Sequence, residues 1–442
     1  MKDTSYVWHP NTQMQEWSKF DAIKSAEGVW LVDSNGNKMI DAVASMWCNV
    51  WGHSNPELIK AITNQSKKLQ HSSLFNITHD PAEQLAKKLV EISPGMHRVF
   101  YSDNGSSAME ISIKIALQYW KNIGEKKKTK IATLENGYHG DTFGAMAVGY
   151  VPEFFGKFKK QLFSTIQFPT PNQYRFPSHF TSFADYQNHC MDKIEKKFSN
   201  SSDDIAAFIM ESGAQVAGGV LIYPKQFQNK ISKLCKKYGI LYVLDEIATG
   251  FGRLGSMFQY EEQKSIPDIV AYGKMLTGGY LTMAATLSSK KIYDSFIGNF
   301  NDWKHLFHGH TFTGNPIAAA VANENLYMYE KKHLIKKIQK TSKVFEKFYQ
   351  EISQIDIVGD IRHKGMLMGI ELVTDRDKKT PIHPKKSINK IFYEEGKKQG
   401  IYLRTLGNIV MLVPPLAITE KELELLLNRT IKTIIAASPK LT

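Results

Sequence analysis

Four segments carry residue types whose order and spacing suit chemistry. The first is Ser102-Asp103-Asn104-Gly105-Ser106-Ser107, where an apolar stretch ends, a small-residue turn follows and a helical pattern begins. Free backbone N–H groups and the positive end of a helix make such a turn a seat for an anion such as phosphate. Ser106 and Ser107 add hydroxyls, and plain N-capping explains the same residues more simply. The second is Asn136-Gly137-Tyr138-His139-Gly140-Asp141-Thr142. Its glycines bracket an aromatic pair just after an apolar stretch, the place where open α/β sheets bind ligands. A flat ring there stacks on a planar cofactor, and a turn with a partly buried Tyr is the alternative. In the third, Ile240-Leu241-Tyr242-Val243-Leu244 runs straight into Asp245 and Glu246. A carboxylate at the end of a buried strand requires a cation, a metal or a proton donor. A protonated heterocyclic nitrogen satisfies Asp245; a metal is the rival, though no nearby His/Asp cluster completes a site. Glu246 either points to solvent or caps the next segment. In the fourth, Ile269-Val270-Ala271-Tyr272 ends in Gly273-Lys274. A lysine in apolar surroundings has a depressed pKa, and its neutral amine can form an imine. Most lysines of so basic a chain only decorate its surface.

Taken together, the four are the parts that pyridoxal 5′-phosphate needs. Its phosphate must be held, its ring packed, its pyridine nitrogen kept protonated and its aldehyde tied as an imine.

The elements that must position these residues alternate. Val99–Ser102, Ile131–Leu134, Ile205–Met210, Ile240–Leu244, Ile269–Tyr272 and Ala284–Leu287 read as buried strands. Their apolar runs are continuous, as in a parallel sheet covered on both faces. Between them, Pro56–Gln70, Ala82–Glu91, Ser106–Lys121 and Lys225–Tyr238 read as helices. Strand-helix alternation predicts a doubly wound α/β domain. From about Pro316 the character changes to long Lys/Glu-rich helices (His333–Ile352, Ser387–Gln399, Glu420–Ala436) flanking strands near Met366–Val373 and Ile409–Val413. That predicts a smaller α+β lobe over residues 326–442, beside a large domain over 56–325. Residues 1–55, with a hairpin of Trp30–Val32 and Lys38–Asp41 around Asn35-Gly36, are expected to join the small lobe.

Composition narrows the function classes. The 442 residues are 42% hydrophobic and 22% charged, the proportions of an ordinary globular protein. No apolar run reaches the roughly 18 residues of a membrane helix. Residues Met1 to Pro10 lack the layout of a signal peptide. Cys48, Cys190 and Cys235 have no paired spacing, which excludes a disulfide scaffold and a Cys-type zinc site. The expected setting is the cytoplasm, with no membrane partner and no metal. Lys+Arg exceed Asp+Glu, 56 to 43, for a net charge of +13. The excess lies in short scattered runs such as Lys126-Lys127-Lys128, without the interleaved aromatics of a nucleic-acid surface. No nucleic-acid partner is therefore expected.

The run Leu244-Asp245-Glu246-Ile247-Ala248-Thr249-Gly250-Phe251-Gly252-Arg253, followed by Gly273-Lys274, resembles the signature of the class III aminotransferases, of fold type I. The resemblance extends over nearly the whole chain. It narrows to the 7,8-diaminononanoate synthases of biotin biosynthesis through Trp8-His9-Pro10-Asn11-Thr12-Gln13-Met14, Gln118-Tyr119-Trp120-Lys121, the segment Asn136 to Ala145, and His308-Gly309-His310-Thr311-Phe312-Thr313-Gly314-Asn315-Pro316.

The resemblance implies a mainly parallel sheet in a large domain and a small lobe made from both termini. It implies ping-pong transfer of an amino group to 8-amino-7-oxononanoate from S-adenosylmethionine or L-lysine. A general ω-aminotransferase acting on other diamines or ω-amino acids is the alternative. By position, Lys274 would anchor the cofactor and shuttle the proton, Asp245 would pair with the pyridinium nitrogen, and Tyr138 would stack on the ring. Gly105 and Ser106 would hold the phosphate, with Thr311 reaching it from the neighbouring subunit of a homodimer. His139 joins the cofactor set. Trp47, Asn11, Tyr138 and Gly309 fall in the substrate pocket, and Arg404 would bind a carboxylate. Arg253 would either face the site or stabilise its loop. Many adenosylmethionine-using relatives carry Tyr at the position of Asn11 and a second Trp where Met46 precedes Trp47. The stretches Phe100 to Asp103, Tyr119 to Gly124 and Thr277 to Leu281 look closer to the lysine-using group. Glu211-Ser212 stands where relatives have Glu-Pro, and Glu211 reads only as a pocket-side acid. Intact Lys274, Asp245, Tyr138 and Ser106 argue against a catalytically silent homologue. Activity is expected to rise on the alkaline side, since transfer needs unprotonated amines.

Overall fold

The computed structural model describes residues 6–17, 20–383 and 385–441. Its centre is a seven-stranded sheet with spatial order Arg98–Ser102, Ala284–Ser288, Ile269–Tyr272, Leu241–Asp245, Ile205–Glu211, Lys130–Leu134, Ile166–Phe168. Within it only Ala284–Ser288 pairs antiparallel, with both of its neighbours. The other ladders are parallel, as the continuous apolar runs predict. Ile205–Glu211 and Leu241–Asp245 are buried at every residue, so neither has a polar face to turn outward.

Register decides what the carboxyl edge of this sheet displays. Across the ladders Asp245 is the partner of Glu211 and of Ala271, Tyr272 of Ala285, and Ala284 of Ser102. The ends of four strands therefore fall on one line, and the residues that follow them meet at one edge. Above it starts the helix Gly105–Asn122, whose Asn104 side chain accepts the N–H of Ser107 at 3.0 Å. Because Asn104 is the cap, the amides of Gly105 and Ser106 are left for the cavity. The helix buries Ala108, Met109, Ile111 and Ile115 and packs on Ile269–Tyr272 and Ala284–Ser288.

The second lobe is an antiparallel sheet ordered Val358–Lys364, Leu367–Asp375, Ile409–Leu412, Arg404–Leu406. The N-terminal hairpin pairs Trp30–Asp33 with Lys38–Asp41. Asp33 Oδ1 accepts the N–H groups of Asn35 and Asn37 at 2.9 and 2.8 Å, and Gly36 takes φ +86° in the turn. Lys38–Asp41 then runs parallel to Ile401–Tyr402, with Ile40 opposite Ile401, so both ends of the chain share a sheet.

The structure differs from the sequence reading in several places, the unexpected helix Phe183–Ser201 among them. The segment His333–Ile352, expected as one helix, breaks into Leu334–Thr341, Val344–Lys347 and Tyr349–Ser353. Around Thr341-Ser342 the hydrogen bonds tighten to three-residue spacing, as from Phe345 N–H to Ser342 C=O at 3.2 Å. The Ser342 hydroxyl also donates to Gln339 C=O at 3.3 Å, the local competition that serine offers a helix. The strand Ile166–Phe168 is three residues with a polar centre, too short to stand out as an apolar run. The helix Pro316–Lys331 carries the chain straight through the expected boundary at 325/326. Among the described residues, no helix is long and apolar enough to cross a membrane.

Candidate active site

At the carboxyl edge of the large sheet lies a cavity of about 600 Å³, walled by the residues after each strand end. Lys274 enters it from the turn after Tyr272 with φ +43°, a left-handed conformation that costs energy for any side chain but glycine. Its Nζ lies 5.4 Å from the centre of the Trp47 ring. Burial lowers the lysine pKa, against the pull of Asp245 and Glu211, and so favours the free amine.

Opposite stands Asp245, 4% exposed. Its Oδ2 meets His139 Nδ1 at 2.8 Å and its Oδ1 accepts the N–H of Ile247 at 2.9 Å. The other ring nitrogen of His139, Nε2, is buried and has no protein partner. Glu211 sits beside Asp245, accepting the N–H of Tyr138 at 3.2 Å and that of Val216 at 2.9 Å. The Tyr138 hydroxyl donates to Asp141 Oδ1 at 3.0 Å, and its ring packs on Phe155 at 6.1 Å. Burial, with Asp141 close by, raises the phenol pKa, so the hydroxyl keeps its proton. The Ser106 hydroxyl accepts the N–H of Asp141 at 3.2 Å, tying the phosphate-type turn to the aromatic turn. At their crossing Gly140 has φ +123°, and a Cβ there would collide with Ser106. Gly140→Ala should push Ser106 aside and weaken cofactor binding at least about tenfold. Cofactor titration of the apoprotein checks this, and unchanged affinity would refute it.

Gly105, Ser106, Tyr138, His139, Asp245, Lys274 and Trp47 are thus brought to one cavity. The rest of the expected set lies elsewhere in the chain. Arg404 stands at the cavity's rim, its Nη1 3.5 Å from the sulfur of Met46, which lines the wall. Asn11 borders an adjoining cavity of about 670 Å³, together with Asn136 and Leu406. Thr311 is exposed, and Gly309 packs against Phe75; neither lines the cavity of its own chain. Arg253, expected either in the substrate pocket or bracing its loop, does not line this cavity: it is 0% exposed and donates from Nη1 to the carbonyls of Met366 and Pro414, at 3.0 and 2.7 Å. It braces the loop after Asp245 against the small lobe, the second of the two roles open to it. Burial pushes its pKa down to about 10. Glu246 does not point to solvent; it accepts the N–H groups of Gln259 and Tyr260 at 3.1 and 2.9 Å and so caps the next segment.

Sequence reasoning missed the contact of Asp245 with His139 and the two backbone bonds of Glu211. Neighbouring signals existed, since His139 follows Tyr138 and Glu211 ends a buried strand, but neither spacing shows who meets whom. Among the described residues no cluster of three or more His, Cys, Asp or Glu could hold a metal ion.

The chain matches the family model described as aminotransferase class-III over residues 13–435. It belongs to the class III aminotransferases. A relative from Staphylococcus aureus, named adenosylmethionine-8-amino-7-oxononanoate aminotransferase, is 44% identical, with 96% of this chain and 94% of that one covered. The crystal structure of the same-named enzyme from Methanocaldococcus jannaschii superposes with a TM-score of 0.91 at 40% identity, covering 97% and 96% of the two chains. An omega transaminase from Pseudomonas jessenii, in complex with PMP, gives 0.93 at 30% identity, covering 99% and 97%. The class III family depends on pyridoxal phosphate. The cavity fits that group: the Gly105 and Ser106 amides at a helix start whose cap engages only Ser107, a buried carboxylate without a full cationic partner and the Lys274 amine face the same space.

Proposed function

We propose that this chain transfers an amino group to the ketone of 8-amino-7-oxononanoate, making 7,8-diaminononanoate, with S-adenosylmethionine as donor. The observation that carries the chemistry is Lys274, held in a strained turn and presented, its pKa lowered by burial, to the cavity that contains Asp245. Pyridoxal phosphate, when bound, supplies the electron sink that makes loss of a proton from an amine-bearing carbon feasible. Gly105 and Ser106 would hold its phosphate, Tyr138 would cover its ring, and Asp245 would keep the ring nitrogen protonated with His139 fixing the carboxylate from behind. Lys274 Nζ would anchor the cofactor and then take and return the proton at the substrate carbon.

Trp47 and Met46 give the wall an apolar side suited to a long aliphatic chain, and Arg404 at the rim suits a carboxylate. Thr311 and Gly309 lie on a surface with exposed Phe300, Trp303, Phe307 and Phe312. An aromatic patch of this kind favours burial against a second copy, so we read the enzyme as a homodimer whose Thr311 serves the partner's cavity. Three free cysteines suit the reducing cytoplasm.

The test uses the holoenzyme without acceptor, mixed with S-adenosylmethionine or with L-lysine while its cofactor absorbance is followed. S-adenosylmethionine alone should shift the spectrum. Added 8-amino-7-oxononanoate should then restore it, with 7,8-diaminononanoate detected by mass. A shift with lysine alone would reassign the donor. Restoration by simple ketones, and not by 8-amino-7-oxononanoate, would replace the reading with a general ω-aminotransferase.

A further inference from the structure

We propose, on the aminotransferase reading, that Glu211 is a positioning residue of the site: it clamps the two turns of the cavity floor, and its own charge, beside Asp245, acts on whatever cationic group the cavity holds.

The clamp is geometric. Glu211 ends the strand Ile205–Glu211, and its Cα partner across the ladder is Asp245. Its Oε2 accepts the N–H of Tyr138, the ring-bearing turn, and its Oε1 accepts the N–H of Val216, in the turn opposite. These turns touch with no spare room: a Cβ on Gly218 would collide with the carbonyl of Asn136. A shift of the Glu211 carboxyl therefore moves Tyr138 directly.

The charge follows from what surrounds it. Glu211 is 4% exposed. Facing it are His139, Asp245, Lys274, Tyr138 and Tyr223. Burial pushes its carboxyl up to about 7, with His139 opposing and Asp245 reinforcing the rise. Below that pH Glu211 is neutral. Above it a second buried negative charge lies beside Asp245. That charge favours a cationic group in the cavity, as it does at Lys274. A plain structural clamp would need the two acceptor oxygens and would be indifferent to charge.

Glu211→Gln keeps the volume and, like the neutral carboxyl it imitates, one carbonyl acceptor and one donor-bearing atom, but cannot ionise. Below about pH 6 the variant holoenzyme should track the wild type in kcat/KM within about twofold, and by about pH 8.5 it should fall about tenfold behind. The wild-type holoenzyme should show a transition of bound-cofactor absorbance near neutrality, and the variant should lack it. A deficit of constant size at every pH, or an unchanged absorbance transition, would overturn the proposal. Glu246→Gln is the control. Glu246 is also buried and pushed up to about 7, but it binds the backbone of Gln259 and Tyr260 outside the cavity. That variant should leave both pH profiles in place, and a matching change in it would equally overturn the proposal. Should Glu211→Gln not fold, infrared spectra of the Glu246→Gln holoenzyme decide: a protonated-carboxyl band at about pH 5.5 should disappear by about pH 8.5. Its absence at the lower pH would defeat the idea. These spectra do not depend on which acceptor is used, so they separate failure of this inference from failure of the assigned reaction.

Discussion

Lys274→Ala is expected to cut transamination by at least about 10⁴-fold, because it removes the proton-transfer base and the covalent anchor in one step. The fold should survive. The Lys274 amine makes no hydrogen bond or ion pair among the described residues and lies 5.4 Å from the centre of the Trp47 ring. Deleting a desolvated amine removes a burial cost rather than a support. The variant should therefore melt near the wild-type temperature while borohydride no longer fixes cofactor to protein. Two measurements check it: single-turnover amino transfer, and the mass of the protein after borohydride treatment. Turnover within about a hundredfold of wild type would place the base elsewhere.

Asp245→Asn should lower kcat by about 10²–10³-fold and loosen the cofactor, the usual scale for losing one preorganised charge in a dry site. The substitution keeps shape. The Asn carbonyl can still accept the N–H of Ile247, as Oδ1 does now at 2.9 Å. Its amide would then donate to His139 Nδ1, which must give up its proton and carry one on Nε2 instead. Among the described residues Nε2 has no partner, and none of them blocks that tautomer. The fold thus tolerates the change, and the loss falls on the charge facing the cofactor ring. Steady-state kinetics and cofactor dissociation, with thermal melting as the control for folding, test this together. A variant with near-normal kcat would show that the ring nitrogen does not depend on Asp245.

Both predictions concern residues that stood out before any tertiary contact was known. Asp245 and Lys274 each follow an uninterrupted buried strand, and a charged residue at such a place is conspicuous because its burial is costly. The strands themselves were legible for the same local reason. Five or six apolar residues in a row, bounded by glycines and polar turns, leave few alternatives. The helix start at Gly105 was equally local, and its cap is Asn104, one of the capping residues that the segment offers.

What neighbouring residues could not reveal was who meets whom. His139 and Asp245 lie 106 positions apart and touch only because the strands before them are placed almost adjacent in the sheet, with their ends in register. Arg253 belongs to the same signature run as Asp245, yet the turn after the strand points it inward, to carbonyls of the small lobe. Glu246, next to Asp245, faces the other way and caps a neighbouring segment. Adjacent residues at a strand end project to opposite sides, so side-chain type alone cannot say which of two acids reaches the cavity. The sequence by itself determined the α/β class, the parts of the cofactor site and the identity of its lysine and carboxylate, because each rests on local periodicity and burial cost. Only the tertiary structure decided the strand order, the Asp245–His139 pair, the place of Glu211 and the inward turn of Arg253, because these depend on register and packing between distant segments, which the whole chain settles together.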